Sequence, residues 1–515
     1  MGTQNLRLEL SRDLIDVESI RMNEQQKIDS KKEIEERRRR GQFATPIDLA
    51  DEITAYGLSV LSTDDISFLE PAVGTGAFIS ALLRNCKDKY ISKCIGYEID
   101  KEYFDVASSL WSYHGFEMKN LDFTRQNPSG KQVNLLISNP PYVRHHYITV
   151  EEKTRLNKLV YNEVGINISG LAGLYSYFML LSHKWLAPGA VSGWLIPSEF
   201  MDVNYGEAKK EYLLNHVRLL RIHRYDPQNS QFNDALVSSA VVWFINEKCE
   251  DDYEVEFTFG GTHTLPQKRK LVRKSVLSSE RKWTRFPEQD VRSTDMQRIT
   301  QLGDYFDIKR GLATGDNNFF ILTKEQIEER GLDMSFFIPI LPSPRKLKTD
   351  EVLSDKMGIP QIDTPYFLLR CSLPEDKIKE KSPALWSYLQ TGKDTTAKKY
   401  LCKSRRLWYM QENRTATPFL CSYMGRSSES RSPFRFILNH SDAVATNSYL
   451  MLYPKPGLER LIAENTALLN KVWDILCSIG NKSIENEGRV YGGGLKKIEP
   501  KELAKVPCQE LDFLC

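Results

Sequence analysis

Several things are missing from this 515-residue chain. It has no apolar run of about 18 residues, so no membrane-spanning helix is expected. Met1–Leu10 lacks a basic head followed by an apolar stretch, so no secretory signal is expected. The nine cysteines are scattered. None forms a Cys-x-x-Cys pair or sits at zinc spacing from a histidine. Reduced thiols, a cytoplasmic location and no metal site follow as expectations. The chain also has little net charge, +2 at neutral pH. A nucleic-acid-binding face would therefore have to be local, because the average over the chain is nearly neutral.

What is present is an ordinary globular composition, 41% hydrophobic and 27% charged. The length suggests roughly two to four domains. Residues 1–44 are polar with a helical pattern and carry the run Glu35-Glu36-Arg37-Arg38-Arg39-Arg40. Such a run is either a solvated helix end or a phosphate contact beside a site. Across 45–250, short apolar runs alternate with helical patterns. Ile66–Leu69, Cys94–Tyr97, Val133–Ile137, Val191–Ile196, Val217–His223 and Ala240–Ile245 read as strands. Ala77–Leu83, Tyr103–Trp111 and Leu171–Leu186 read as helices. This alternation predicts an α/β fold with a mainly parallel sheet, whose ligand sits at the carboxyl ends of the strands. Residues 251–299 are rich in lysine and arginine and read as a basic linker. Residues 300–515 read as a second domain of mixed α+β structure.

The loop Glu70-Pro71-Ala72-Val73-Gly74-Thr75-Gly76 follows a strand and opens a helix. It lacks both the third glycine of a dinucleotide fingerprint and the lysine of a P-loop. Glu70 beside a glycine turn suits a cationic ligand, such as a sulfonium or an amino group, better than a pyrophosphate. Glu98 ends the next strand, about 20 residues on, where an acid can hold ribose hydroxyls. In Leu121-Asp122-Phe123, the carboxylate can accept from an adenine amino group and the ring can stack on the base.

Val133–Ser138 then runs into Asn139-Pro140-Pro141-Tyr142. Two prolines stiffen this loop and remove two N–H donors. The Asn139 side-chain oxygen and the Pro140 carbonyl are left as fixed acceptors. An exocyclic amino group has two N–H bonds to offer them, and accepting both turns its lone pair toward an incoming methyl group. Tyr142 supplies a ring on which a planar base can stack.

In their order along the chain, Thr45-Pro46, Glu70–Gly76, Glu98, Asp122 and Asn139–Tyr142 resemble the gamma-class N6-adenine DNA methyltransferases of type II restriction–modification systems. The resemblance implies a Rossmann-like domain that binds S-adenosylmethionine and a C-terminal target-recognition domain. It implies that Thr45 and Pro46 flank the methionine part of the cofactor, with Glu70, Ala72, Gly74 and Gly76 beside them. Glu98 and Ile99 then fall at the ribose, Asp122 and Phe123 at the adenine, and Asn139 and Pro141 at the reacting end. Phe232 matches the position of a second base-packing aromatic. Lys309–Gly315 and Arg489–Leu495 look like paired recognition turns, with Arg310, Arg405, Arg406, Arg414 and Lys496 as candidate DNA contacts. The implied partners are duplex DNA and, functionally, a cognate restriction endonuclease; a monomer is expected. Three rivals remain: a methyltransferase for a protein glutamine or an RNA guanine, a fused endonuclease–methyltransferase, and a non-catalytic DNA-binding module.

Overall fold

The computed structural model describes residues 2–226, 238–287, 300–426, 432–491 and 494–514. The chain divides into two compact units. The first holds Met1–Thr294, and the second holds all but three residues of the remainder, Asp295–Val490 and Gly494–Cys515.

The first unit begins with helices α1 (Gly2–Lys31), α2 (Ile34–Arg40) and α3 (Ile47–Val60). It continues as β1 (Asp65–Glu70), α4 (Ala77–Asn85), β2 (Tyr90–Tyr97), α5 (Lys101–Trp111), β3 (Glu117–Lys119) and β4 (Val133–Ser138). Then come α6 (Val150–Val164), α7 (Leu174–Leu181), β5 (Leu186–Pro197), α8 (Glu207–Asn215), β6 (Arg218–Arg224), β7 (Ser239–Ile245), β8 (Glu254–Gly261) and β9 (Pro266–Arg273). The nine strands form one sheet in the order β3-β2-β1-β4-β5-β7-β6-β8-β9. Pairing is parallel from β3 through β5, and antiparallel where β7 inserts between β5 and β6. The order reverses at β1, where β2 and β4 flank it. In parallel sheets this is where a crevice opens beyond the carboxyl ends. Burial follows position: β4, in the middle, buries five of its six residues. The edge strand β3 buries none.

The α/β reading and the six expected strands agree with these elements. Two boundaries do not. The expected helix over Leu171–Leu186 stops at Leu181, and Leu186 already belongs to the twelve-residue β5. The stretch read as a basic linker contains β8 and β9, which extend the sheet beyond β6. Its charge misled because β9 is an edge strand. Lys268, Arg269 and Arg273 stand on its exposed positions and Lys270 is half-buried, and lysine-rich edges are one way a sheet avoids further pairing.

The turn from β1 into α4 depends on Gly76, which has φ +91° and leaves room for Trp111. The Trp111 indole donates to the Thr75 carbonyl at 2.8 Å. A Cβ on residue 76 would lie 2.1 Å from that indole nitrogen. The second unit is built on a five-stranded and a four-stranded sheet, with three hydrophobic clusters of its own.

Backbone strain and the indole collision each cost on the order of 1–3 kcal/mol. Gly76→Ala is therefore expected to destabilise the first unit by about 2–4 kcal/mol. Thermal unfolding followed by circular dichroism tests this; an unchanged midpoint would contradict the packing described.

Candidate active site

A cavity of about 600 Å³ opens at the carboxyl ends of β1, β2, β3 and β4. This is within the range of small-ligand sites, about 300–1,000 Å³. Of the residues singled out from sequence, Ala72, Gly74, Glu98, Ile99, Asp122, Phe123, Asn139 and Pro141 line it. The structure thus brings together four loops that lie up to 69 residues apart in the chain. Glu70, Thr45, Gly76, Pro140 and Tyr142 are buried beside these loops, whereas Pro46 is exposed at the start of α3.

Gly74 has its open side toward the cavity: a Cβ there would meet nothing within 4 Å. Its N–H donates to the Glu98 carboxylate at 2.9 Å, and the Asp100 N–H donates to the other Glu98 oxygen at 2.8 Å. A carboxylate has about four acceptor positions, so each oxygen keeps capacity for a ligand hydroxyl. Burial raises the pKa of Glu98 despite those bonds. Asp122 caps a short helical turn, accepting from the Thr124 N–H at 2.9 Å and from the Thr124 hydroxyl at 2.8 Å. Phe123 is buried among Tyr97, Phe178 and Trp185.

The Asn139 amide nitrogen donates to the Phe43 carbonyl at 3.0 Å and to the Thr45 hydroxyl oxygen at 3.1 Å. A backbone carbonyl only accepts, so the nitrogen end of the amide must face it. The oxygen end is then turned the other way. Backbone contacts hold the loop as well. The Tyr142 N–H donates to the Gly41 carbonyl at 3.1 Å, and a Cβ on Gly41 would lie 2.3 Å from that nitrogen. Gly41 also ends α2 with φ +66°. The Tyr142 hydroxyl donates to the Leu195 carbonyl on β5 at 3.0 Å. Phe232 lies outside the described residues.

Sequence reasoning missed what the N-terminal helices do. Arg21 and Gln25 of α1 both bond the Thr75 hydroxyl, at 2.9 and 2.7 Å. Gln25 and Asp29 line the cavity. Lys32 and Gln42 bond Asp100 at 2.7 and 2.9 Å. Burial works against the Asp100 carboxylate, but these bonds and the Lys32 charge outweigh it and hold the pKa below the usual range. Arg155 of α6 was also missed: it bonds the Thr124 hydroxyl at 2.7 Å and braces the Asp122 turn. Nothing local in the sequence marks these residues, because each acts across the fold.

Glu70 is 2% exposed, and its Oε2 has no hydrogen-bond partner. Burial pushes its carboxyl well above the usual range; the Arg21 charge pulls it down, and Glu98 adds to the rise. A second cluster lies deeper in the first unit, where Glu52, His223 and His263 approach one another. The Trp243 indole donates to His263 Nε2 at 2.9 Å. In the neutral ring the proton therefore sits on Nδ1, facing Glu52 at 3.6 Å. That proton occupies the lone pair a metal would need, and the group reads as a hydrogen-bonded anchor for α3. Burial, the neighbouring His263 and Arg221 push His223 down to about 2, so it too is neutral.

In the second unit, the Arg405 guanidinium is spent on the Ala313 and Thr314 carbonyls, at 2.7 and 2.9 Å. Its immediate role is to hold the Lys309–Gly315 turn. Lys496 pairs with Glu485 and Arg414 with Glu412. Arg310 bonds the Asn447 carbonyl and lies 4.0 Å over the Tyr423 ring. Arg406 is exposed. Among the described residues, no helix is long and apolar enough to cross a membrane.

Two family models match. Residues 288–512 match the C-terminal domain of type II methyltransferase M.Eco57I, and residues 80–232 match the Eco57I restriction–modification methylase. The type II methyltransferase M.AccI of Acinetobacter calcoaceticus is 27% identical over 93% of this chain and 87% of its own. The type II methyltransferase M.XamI of Xanthomonas campestris pv. amaranthicola is 29% identical over 87% of this chain and 81% of its own. Over most of its length the chain is thus similar to type II restriction–modification methyltransferases of the Eco57I kind. Its fold is shared with a solved structure, the type IIL restriction–modification enzyme MmeI in complex with DNA. The TM-score is 0.54 at 11% identity, covering 89% of this chain and 64% of that one.

The raised pKa of Glu70 has a definite sign. A carboxyl that is harder to ionise folded than unfolded favours the folded state at low pH, and that advantage is lost as pH rises toward the folded pKa. Glu70→Gln is expected to remove this loss in the ligand-free protein, flattening the fall of Tm as pH rises above the ordinary glutamate value of about 4.3. Identical pH profiles for the two proteins would mean that Glu70 is not held in this way.

Proposed function

We propose that this protein is a site-specific DNA methyltransferase. It moves a methyl group from S-adenosylmethionine to N6 of an adenine extruded from duplex DNA, and so protects that site from a cognate restriction endonuclease. One observation carries the reading. The Asn139 amide nitrogen is bonded to Phe43 and Thr45, so its oxygen is left as an acceptor on a loop that lines the cavity.

The residues present fit the cofactor. Gly74 leaves a cradle free of side chain, Glu98 retains acceptor capacity for ribose hydroxyls, and the unpartnered Glu70 oxygen lies next to the loop where a cationic amino group would sit. The Asp122 carboxylate stands beside the first N–H of a helical turn, which has no intrahelical acceptor. Such an acceptor–donor pair matches the edge of an adenine. When bound, S-adenosylmethionine supplies an electrophilic methyl on a sulfonium.

The remaining work falls to the protein. A base inside the stack is out of reach and must be flipped out. Asn139 Oδ1 and the Pro140 carbonyl each accept one hydrogen of its amino group. This turns the nitrogen lone pair toward the methyl and stabilises the positive charge that grows there. Direct transfer needs alignment more than proton transfer, which suits a loop fixed by two prolines and by Gly41. Tyr142 and Phe232 are assigned to packing on the base. The second unit is assigned to target recognition, with Arg310, Arg406, Arg414 and Lys496 as candidate contacts. Adenine is favoured because Thr45-Pro46 and the cofactor loops precede the catalytic loop in the gamma-class order.

The test is transfer of labelled methyl from S-adenosylmethionine to unmethylated genomic DNA, RNA and protein side by side. Incorporation is expected in DNA, and nucleoside analysis should return N6-methyladenine. N4-methylcytosine would keep the amino chemistry and reject adenine; label only in RNA or protein would reject DNA. By analogy with the removal of one preorganised polar group, Asn139→Ala should lower kcat by roughly 100-fold or more. A variant close to wild type would remove Asn139 from the reaction.

A further inference from the structure

The reading above leaves one motif unused, the arginine run that ends α2. Its four members have different fates. Arg37 is buried and faces Asp29 at 3.6 Å. Arg38 faces Glu35 at 4.0 Å. Arg40 pairs with Glu36 at 2.9 Å and reaches Asp100 at 3.4 Å. Arg39 is exposed, lines the cavity, and has no ion pair with any described residue. Its guanidinium lies 5.5 Å from the centre of the Tyr147 ring, over its face.

Tyr147 also lines the cavity and is 42% exposed. It lies five residues after Tyr142, at the end of the segment Val143-Arg144-His145-His146. Arg144 and His146 are exposed. The His146 and Tyr147 rings stand 4.2 Å apart, and the His145 and His146 rings 5.4 Å. The loop that presents Asn139 therefore continues into a basic and aromatic ridge at the cavity mouth, and Arg39 leans on that ridge.

The acids around the mouth do not cancel this charge. Asp122 pairs with Arg125, and Glu152 with Arg125 and Arg155. Asp100 is taken by Lys32 and Arg40. The rim thus keeps an unneutralised guanidinium within the wall of the cavity. An arginine fork matches phosphate geometry, and stacking on an aromatic ring holds it in place with its N–H edge outward.

Resting on the methyltransferase reading, we propose that Arg39, held over Tyr147, grips a backbone phosphate of the extruded nucleotide, with Arg144 and His146 extending the contact along the strand. A base that enters the cavity brings its own phosphates to the mouth, and this rim is where they arrive. Arg39 is a positioning residue. It shortens the search for the flipped state and does not touch the reacting atoms.

The experiment compares Arg39→Ala and Arg39→Lys with the wild type in the full-length chain. Three quantities are measured: methyl transfer to unmethylated genomic DNA, binding of S-adenosylmethionine by calorimetry, and binding of a fluorescein-labelled duplex with one abasic site at several salt concentrations. For Arg39→Ala, KM for DNA should rise several-fold with cofactor affinity unchanged. The slope of log affinity against log salt should shrink by about one, the effect of one lost phosphate contact. Arg39→Lys should keep the slope. An unchanged slope in Arg39→Ala, or a parallel loss of cofactor affinity, would overturn the proposal. The two readings fail separately. Wild-type protein that binds the duplex with an Arg39-dependent slope but methylates no DNA would reject the enzyme reading and keep the contact. Normal methylation by Arg39→Ala at every salt concentration would do the reverse.

Discussion

The orientation of one planar amide organises the first unit. Asn139 could present either end to a ligand, and the two ends have opposite hydrogen-bonding character. The Phe43 carbonyl removes the choice by demanding a donor. Phe43 and Thr45 belong to the short segment between α2 and α3, so that segment must itself be fixed. Gly41 does part of this by packing backbone to backbone on Tyr142. Gln42 does another part through Asp100. Asp100 in turn caps α5, accepting from the Glu102 N–H. Each of these bonds is worth only about 1 kcal/mol. Their effect is geometric: together they leave the amide a single setting.

The same segment joins the reacting end to the cofactor loops. Helix α1 lies on the glycine turn through Arg21 and Gln25, and Lys32, just beyond its end, reaches the Glu98–Asp100 loop. The charges there pull in opposite directions. Glu70 and Glu98 are buried near each other and resist ionisation, whereas Asp100 is held ionised by Lys32 and Gln42. Buried acids of this kind cost stability unless something compensates them, and a cationic ligand beside Glu70 would do so. On the proposed reading, that asymmetry suits a cationic group beside the glycine loop. It is the physical content of the glycine loop that the bare Gly-x-Gly spacing did not carry.

Much of this was legible in the sequence, and the reason differs by element. The central strands could be read because burial on both faces demands nearly continuous apolar runs, as in Val133–Ser138. The loops could be read because Glu70, Glu98, Asp122 and Asn139 each sit at a strand end. The sheet extension by β8 and β9 was hidden because half of the residues in the edge strand β9 are lysine or arginine. Arg155, Gln25 and Gly41 were hidden because their partners lie across the fold. Glu52, His223 and His263 were hidden for the same reason, since their clustering depends on α3 crossing the sheet. Arg405, singled out from sequence as a candidate DNA contact, holds the carbonyls of Ala313 and Thr314 in the structure.

That last case bears on how a chain with a net charge of only +2 could hold a polyanion at all. Not every cation counted from sequence is available, because Arg21, Arg84, Arg155, Arg405 and Lys32 are committed inside the structure. On the proposed reading, affinity for phosphate depends on where the uncommitted cations stand. Arg39 is such a cation, and on the proposed reading it stands where the extruded nucleotide enters. The near-neutral composition gave no sign of nucleic-acid binding because a sum of charges over the whole chain does not register a local group of cations.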